Sequence, residues 1–179
     1  MRGAETGPLR LAPLRTRALD GTWRDLPGDL PAERTLVLLA YRQRHQRDVD
    51  AWIALAVAHG VPPTSRGVTG PMASAVVEVP FLSARWLPAR RLIDGGMAQG
   101  IADPDVLART LTAYGAPARH RRACRLEASG CGAGGRDVEA LVVDRAGAVH
   151  WHASGPPGHG RGDAGADVDG LLDALGVVG

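Results

Sequence analysis

The clearest local signal in the chain is Glu139-Ala-Leu-Val-Val143, Asp144-Arg-Ala-Gly147, Ala148-Val-His-Trp-His152. Two short runs rich in strand-forming residues flank a connection of four residues. Asp at the first position of the connection and Gly at the fourth are the residues that a tight β-turn favours. The sequence therefore predicts an antiparallel hairpin at this point.

Upstream of the hairpin, the chain carries the pattern of a βαβ unit. Thr35-Leu-Val-Leu-Leu-Ala-Tyr41 is apolar on both faces, as a central parallel strand requires. A helix is expected from about Asp48 to His59 and ends before Gly60. A second strand is expected over Ser74 to Pro80. The apolar residues of the helix recur at helical spacing: Val49, Trp52, Ile53, Ala56 and Val57.

The remaining segments complete one domain. Residues 1–16 form a loose lead-in, and residues 17–179 form a single domain. Between the second strand and the hairpin we expect three helices, Ala84 to Gly95, Pro104 to Arg109 and Ala116 to Leu126, and one strand, Thr110 to Tyr114. The first of these helices should bury Trp86, Leu87 and Ile93. The second should be capped by Asp103. A final helix capped by Asp167 buries Val168, Leu171, Leu172 and Leu175. This order predicts an α/β domain of thioredoxin-like plan, a central mixed β-sheet flanked by helices with a C-terminal β-hairpin and helix.

Composition narrows the functional classes. The chain has 179 residues, 45% of them apolar, and a net charge of +2, too balanced to indicate a nucleic-acid-binding protein. All 21 basic residues are arginine, which is typical of a GC-rich, bacterial genome. Two cysteines exclude a disulfide scaffold and a four-thiolate zinc site. Neither a transmembrane run nor a signal peptide is recognisable, so a cytoplasmic location is the expectation.

The hairpin also resembles that of a known family. Leu141 to Pro156 is similar to the hairpin of the mitochondrial ATP synthase assembly factors in the thioredoxin-like superfamily, which carry Leu-Val-Asp, a turn and Trp-x-x-x-Gly. Thr35 to Ile53 resembles their first βα unit, and Val77 to Phe81 followed by Trp86 resembles the next segment. The resemblance implies a redox-inactive domain that assists assembly of the ATP synthase membrane sector as a chaperone.

The residues agree with the absence of thioredoxin chemistry. A catalytic thiolate would stand where the first strand meets its helix, because the helix N-terminus lowers its pKa. That junction is Tyr41-Arg-Gln-Arg-His-Gln-Arg47 and contains no cysteine. The proline that redox members of the fold place before the hairpin is replaced by Arg136-Asp-Val138. Thiol–disulfide exchange at the usual site is not expected.

The same junction supplies the candidate binding site. Three arginines and a histidine stand near a helix N-terminus, where guanidinium groups and unpaired N–H groups attract phosphate or carboxylate. These residues are Arg42, Arg44, His45 and Arg47. A solvated loop whose arginines pair with Asp48 and Asp50 is the alternative interpretation. The prediction is a contact surface for a protein partner, with an anionic ligand as the alternative.

Two other groups of residues are candidates for reactive sites. Cys124 lies among arginines and Cys131 six residues beyond it, so the pair could act as a redox sensor or as a divergent peroxiredoxin-like oxidoreductase. The simpler interpretation is that one thiol packs in the core and the other has no reactive role. His150 and His152 share one face of a strand and His159 follows, but an exposed sheet face is favoured over a metal site.

The basic run Arg119 to Arg125 is expected to be a solvated helix face, because no aromatic residues interleave to stack bases. The sequence as a whole predicts a thioredoxin-like binding protein without redox cysteines, with no cofactor and no metal. Its partner is expected to be a protein, such as a subunit of a membrane complex touched peripherally, and not a nucleic acid.

Overall fold

The computed structural model describes residues 8–64, 66–68, 73–126, 137–158 and 164–177. Within these residues the strands are β1 (Leu14–Ala18), β2 (Trp23–Leu26), β3 (Arg34–Ala40), β4 (Ser74–Ser83), β5 (Leu111–Gly115), β6 (Glu139–Val143) and β7 (Val149–Ser154). The α-helices are α1 (Gln46–Ala58), α2 (Arg90–Gln99), α3 (Pro104–Arg109), α4 (Pro117–Ala123) and α5 (Ala164–Leu175). Short 3₁₀ helices precede α1 at Gln43–His45 and α2 at Ala84–Ala89.

All seven of these strands belong to one mixed sheet in the order β2-β1-β5-β4-β3-β6-β7. β3, β4 and β5 are parallel neighbours, and the other pairings are antiparallel. The block β4-β3-β6-β7, with α1 between β3 and β4 and α5 after β7, is the predicted βαβ unit closed by a hairpin and a helix. The predicted α/β class and thioredoxin-like plan are confirmed.

The core has two layers, one on each face of the sheet. Leu36, Leu38 and Ala40 of β3 pack on one face with the buried side of α1, where Trp52 is completely buried. Leu39 points to the other face, where the cover comes from the N-terminal segment and α4. Because both faces are covered, β3 is apolar at every position after the first two, as its sequence indicated.

The hairpin forms with the predicted turn. Gly147 N–H donates to Asp144 O at 2.9 Å, and Ala148 N–H donates to Asp144 Oδ1 at 2.9 Å. Gly147 has φ +84°, and a Cβ there would lie 2.9 Å from Pro27 Cγ. The turn therefore requires glycine for both conformation and space. The predicted cap of α3 is confirmed as well, since Asp103 Oδ1 accepts from Asp105 N–H at 2.8 Å.

Several expectations differ from the structure. β1 begins at Leu14, inside the segment treated as a loose lead-in, and Leu11 is already buried with its N–H bound to Gly147 O. β1 and β2 are an additional hairpin at the edge of the sheet. Trp86 and Leu87 are exposed, not buried, because they lie in a 3₁₀ helix that packs only partly on the sheet.

The last helix starts earlier than expected. α5 begins at Ala164, so Asp167 lies inside its first turn and not at its cap. In the part of the chain that the structure describes, no helix has the length and apolar character that crossing a membrane demands.

Candidate functional site

The carboxyl ends of the central parallel strands meet at one edge of the sheet. β3 ends at Ala40, and α1 begins shortly afterwards at Gln46. The start of β6 lies beside the end of β3, because the strands are antiparallel and Glu139 pairs with Leu39. In open α/β sheets, ligands bind outside these strand ends. The side chains gathered here are therefore the first candidates for function.

A buried ionic group, the Glu139 cluster, lies at this edge and consists of Glu139, Arg121, His152 and Tyr41. Glu139 Oε1 lies 2.9 Å from Arg121 Nη1, and Oε2 lies 2.8 Å from His152 Nε2. The side chains of Arg121 and Glu139 are 4% and 0% exposed. The Arg121 Cζ lies 5.3 Å from the centroid of the Tyr41 ring. One carboxylate thus ties α4, β6 and β7 together beneath the β3–α1 junction.

The electrostatics of the cluster are those of a rigid support. The carboxylate of Glu139 beside Arg121 offsets a guanidinium charge that would otherwise be costly to bury. Burial raises the pKa of Tyr41 far above its usual range, and the nearby Arg121 charge offsets this only in part. The phenol is therefore neutral. Among the described residues its hydroxyl has no hydrogen-bond partner. The cluster presents no exposed nucleophile, and the side chain of His152 is 7% exposed.

The predicted binding residues divide into an outer and an inner set. Arg42, Arg44 and Arg47, which we call the arginine rim, are exposed. His45 is buried, and its Nδ1 accepts the backbone N–H of Tyr41 at 3.2 Å. His45 therefore holds the turn that leads into α1, whereas the three arginines face outwards. A partner-binding role for these four residues stays a prediction.

The N-terminus of α1 is also fastened from the other face of the sheet. Glu78 of β4 is buried and accepts a hydrogen bond from Thr110 Oγ1. Gln46 Nε2 donates to Glu78 Oε2 at 3.2 Å and to Asp50 Oδ1 at 3.0 Å. These bonds fix where α1 starts, and with it the position of the arginine rim.

Neither the β3–α1 junction nor the environment of Cys124 favours thiol chemistry. The junction 41–47 has no cysteine. Cys124 is 1% exposed, its Sγ accepts Ala12 N–H at 3.2 Å, and it lies 3.7 Å from His120 Nε2. Burial raises the pKa of the Cys124 thiol, so little of the reactive thiolate is present near neutral pH. Cys131, the second candidate of the pair, lies outside the described residues.

The histidines of β7 have separate roles. His150 Nε2 lies 2.8 Å from Asp144 Oδ2 at the turn, whereas His152 belongs to the Glu139 cluster. The expectation that both lie on an exposed sheet face is wrong for His152, because α4 covers that end of the sheet. His159 lies outside the described residues. Over the described ranges, no group of three or more His, Cys, Asp or Glu side chains is placed to hold a metal ion.

The basic run of α4 is not a uniformly solvated face. Arg119 and Arg122 are exposed, but His120 and Arg121 are buried. Burial lowers the pKa of His120, which packs 5.2 Å from the ring centroid of Phe81. The helix turns Arg121 towards Glu139, and it turns His120 towards Phe81 and Cys124.

Sequence reasoning missed Glu139 and Tyr41 as site residues. One signal was present: Glu139 is a charged residue at the first position of a strand that is otherwise entirely apolar. A carboxylate in such a strand needs a buried cation, and an arginine-rich helix lies shortly upstream. Which arginine supplies it depends on the rotation of α4 and could not be derived from the pattern.

Comparisons with known proteins show the fold. No family model matches this chain, and no curated protein matches it. Among solved structures, this chain is similar to BsSco, a member of the Sco family of cytochrome c oxidase assembly proteins in which a disulfide switch was identified. The two chains are 11% identical and superpose with a TM-score of 0.53, with 96% of each chain covered.

Two further structures are similar over nearly the whole chain. Yeast Sco1 with copper bound has 12% identity and a TM-score of 0.51, with 97% of this chain and 96% of that chain covered. An uncharacterised conserved protein from Geobacillus kaustophilus has 15% identity and a TM-score of 0.51, with 97% and 87% covered. At such identities the likeness shows a thioredoxin-like fold and nothing finer.

Proposed function

We propose that this chain is a thioredoxin-fold binding protein whose arginine rim holds an acidic segment of a polypeptide partner. The observation that carries the proposal is the β3–α1 junction itself. At the point where the chemistry of the fold would need a thiolate, this chain places three exposed guanidinium groups. The junction beneath them is fastened by His45 and the Glu139 cluster.

The charge of the rim favours a carboxylate-bearing partner. Arg42 and Arg47 form no ion pair with any carboxylate in the described part of the chain. Asp50 of α1 accepts a hydrogen bond from Gln46. Guanidinium groups bind carboxylates through paired hydrogen bonds, and the amino end of α1 adds a favourable dipole. An acidic peptide therefore meets both charge and geometry here.

A role in assembling a membrane complex extends this proposal. Its support is the resemblance of the hairpin to that of the ATP synthase assembly factors, together with two similar solved structures from the Sco family of cytochrome c oxidase assembly proteins. This support is an analogy at the level of fold and short motifs. We accordingly propose a subunit of a membrane complex as the partner class, bound through an acidic segment outside the bilayer.

The test is affinity capture from the native host in mild detergent, with the bound proteins quantified by mass spectrometry. The variant Arg42→Ala/Arg44→Ala/Arg47→Ala should lose a partner that the wild-type chain retains. Its matched control is Arg66→Ala/Arg91→Ala/Arg119→Ala, which removes the same charge from other exposed positions. Retention of the partner by the rim variant, with its fold intact by circular dichroism, would refute the proposal.

A parallel assay addresses the oxidoreductase alternative. Peroxide and disulfide turnover by the wild-type chain should equal that of Cys124→Ser/Cys131→Ser, because the junction lacks a thiol and Cys124 is buried. Turnover that depends on the cysteines would replace the binding proposal with the redox one.

A further inference from the structure

A cleft that we call the Trp23 cleft lies against β1, β2 and β5, away from the β3–α1 junction. Its volume is about 360 Å³, within the ~300–1,000 Å³ typical of small-molecule sites. Trp23 and Leu87 line it, and both side chains are 42% exposed. Arg15, Arg17 and Arg90 complete most of the wall. The cleft therefore combines apolar surface with concentrated positive charge.

Only one of the three arginines is neutralised inside the cleft. Asp94 is 3% exposed, and its Oδ2 lies 3.4 Å from Arg17 Nη1. Its Oδ1 accepts the Tyr114 hydroxyl at 2.7 Å. Both carboxylate oxygens are thus engaged, and Asp94 is committed to Arg17 and Tyr114. Asp94 therefore does not neutralise the charges of Arg15 and Arg90.

Those two arginines converge on one aromatic ring. Their Cζ atoms lie 4.9 Å and 5.2 Å from the Trp23 ring centroid. Arg15 has one ion pair, to Asp25 at 3.8 Å, in which both side chains are about 70% exposed, so it is weak. Among the described residues, Arg90 forms no ion pair. Two like charges held around one indole repel each other, and a bound anion would relieve that repulsion.

We propose that the Trp23 cleft binds a small organic anion, a phosphate or carboxylate carried on an aromatic group. The oxyanion accepts hydrogen bonds from the guanidinium groups of Arg15 and Arg90. The aromatic group packs on the exposed apolar surface of Trp23 and Leu87. Asp94 keeps Arg17 in place at the floor of the cleft. This site does not rest on the arginine rim, so it can fail or succeed independently of the proposed function.

The test is isothermal titration calorimetry of the full chain with phenyl phosphate and benzoate, alongside inorganic phosphate and phenol. We expect saturable binding of at least one aromatic anion with a Kd of about 1 mM or tighter. Arg15→Ala/Arg90→Ala should weaken it by about tenfold or more, because both donors to the oxyanion are lost. The control Arg66→Ala/Arg119→Ala, which removes two arginines that are exposed outside the cleft, should bind like the wild type. Binding should also quench a fluorescence component that Trp23→Phe removes.

Each other outcome overturns a stated part of the proposal. No saturable binding by any aromatic anion overturns the site. Equal binding of phenol overturns the role of the oxyanion, and equal binding of inorganic phosphate overturns the role of the aromatic group. Unchanged affinity in Arg15→Ala/Arg90→Ala, with the same melting temperature as the wild type, places the ligand elsewhere.

Discussion

The substitution Glu139→Gln tests whether the Glu139 cluster holds the sheet edge together. Glutamine keeps the size of the side chain and removes its charge. The Arg121 guanidinium, 4% exposed, then loses the carboxylate oxygen that lies 2.9 Å from its Nη1. His152 loses the carboxylate oxygen that lies 2.8 Å from its Nε2. We expect the free energy of unfolding to fall by about 3–5 kcal/mol, the cost of breaking a buried ion pair from one side.

The loss in the free energy of unfolding should reach this range because solvent does not screen the buried charges of Arg121 and Glu139. Exposed ion pairs contribute only about 0–1 kcal/mol, since water and ions weaken the attraction. Arg15 and Asp25, with side chains 69% and 74% exposed, form such a pair and serve as the control. Asp25→Asn should therefore cost less than about 1 kcal/mol. A loss of 3–5 kcal/mol at Glu139 would be a large part of the ~5–15 kcal/mol that stabilises a typical domain.

Urea unfolding followed by circular dichroism measures the effect. A double-mutant cycle with Arg121→Met isolates the pair, because the double variant removes both charges and leaves neither one buried alone. The double variant should be more stable than the sum of the single losses predicts. A loss below about 1 kcal/mol for Glu139→Gln, or a coupling energy near zero, would refute the reasoning about buried charge.

Three further predictions use the same unfolding and reactivity measurements. Gly147→Ala should destabilise the fold by about 1–2 kcal/mol or more, because φ is +84° and the new Cβ meets a proline side chain. Its control is Gly96→Ala in α2, whose new Cβ meets no atom within 4 Å and should stabilise the fold by about 0.5–1 kcal/mol. Equal effects of the two substitutions would contradict this reasoning. Burial lowers the pKa of His120, so the unfolded chain binds the proton more readily than the folded chain does. The free energy of unfolding should therefore fall as the pH drops below about 6.5, and His120→Gln should make this fall shallower. An unchanged pH dependence in His120→Gln would show that another group causes it. In native protein, a thiol reagent should modify Cys124 in a Cys131→Ser background much more slowly than in urea; equal rates would show that the thiol is accessible.

The local elements of the fold could be derived from the sequence for identifiable reasons. β3 is apolar on both faces because helices and loops cover both sides of the sheet, and this produces the unbroken apolar run Leu36 to Ala40. The hairpin turn depends on the chemistry of Asp144 and Gly147, which acts within four residues. Trp86 shows the limit of such local reasoning, because it fits an apolar stripe on a helix and is nonetheless 46% exposed in a 3₁₀ turn.

The thioredoxin-like plan and the hairpin can be predicted from short-range patterns, and the absence of cysteine from residues 41–47 is read directly from the chain. Which charged groups meet depends on the tertiary structure. Arg121 reaches Glu139 across the sheet edge, Arg15 reaches Trp23 across the β1–β2 hairpin, and Arg90 reaches Trp23 from a distant part of the chain. In a chain whose 21 basic residues are all arginine, side-chain type does not distinguish a buried support from an exposed binding surface. The rotation of each helix and the register of each strand make that distinction, because they set which guanidinium groups lose water and which keep it.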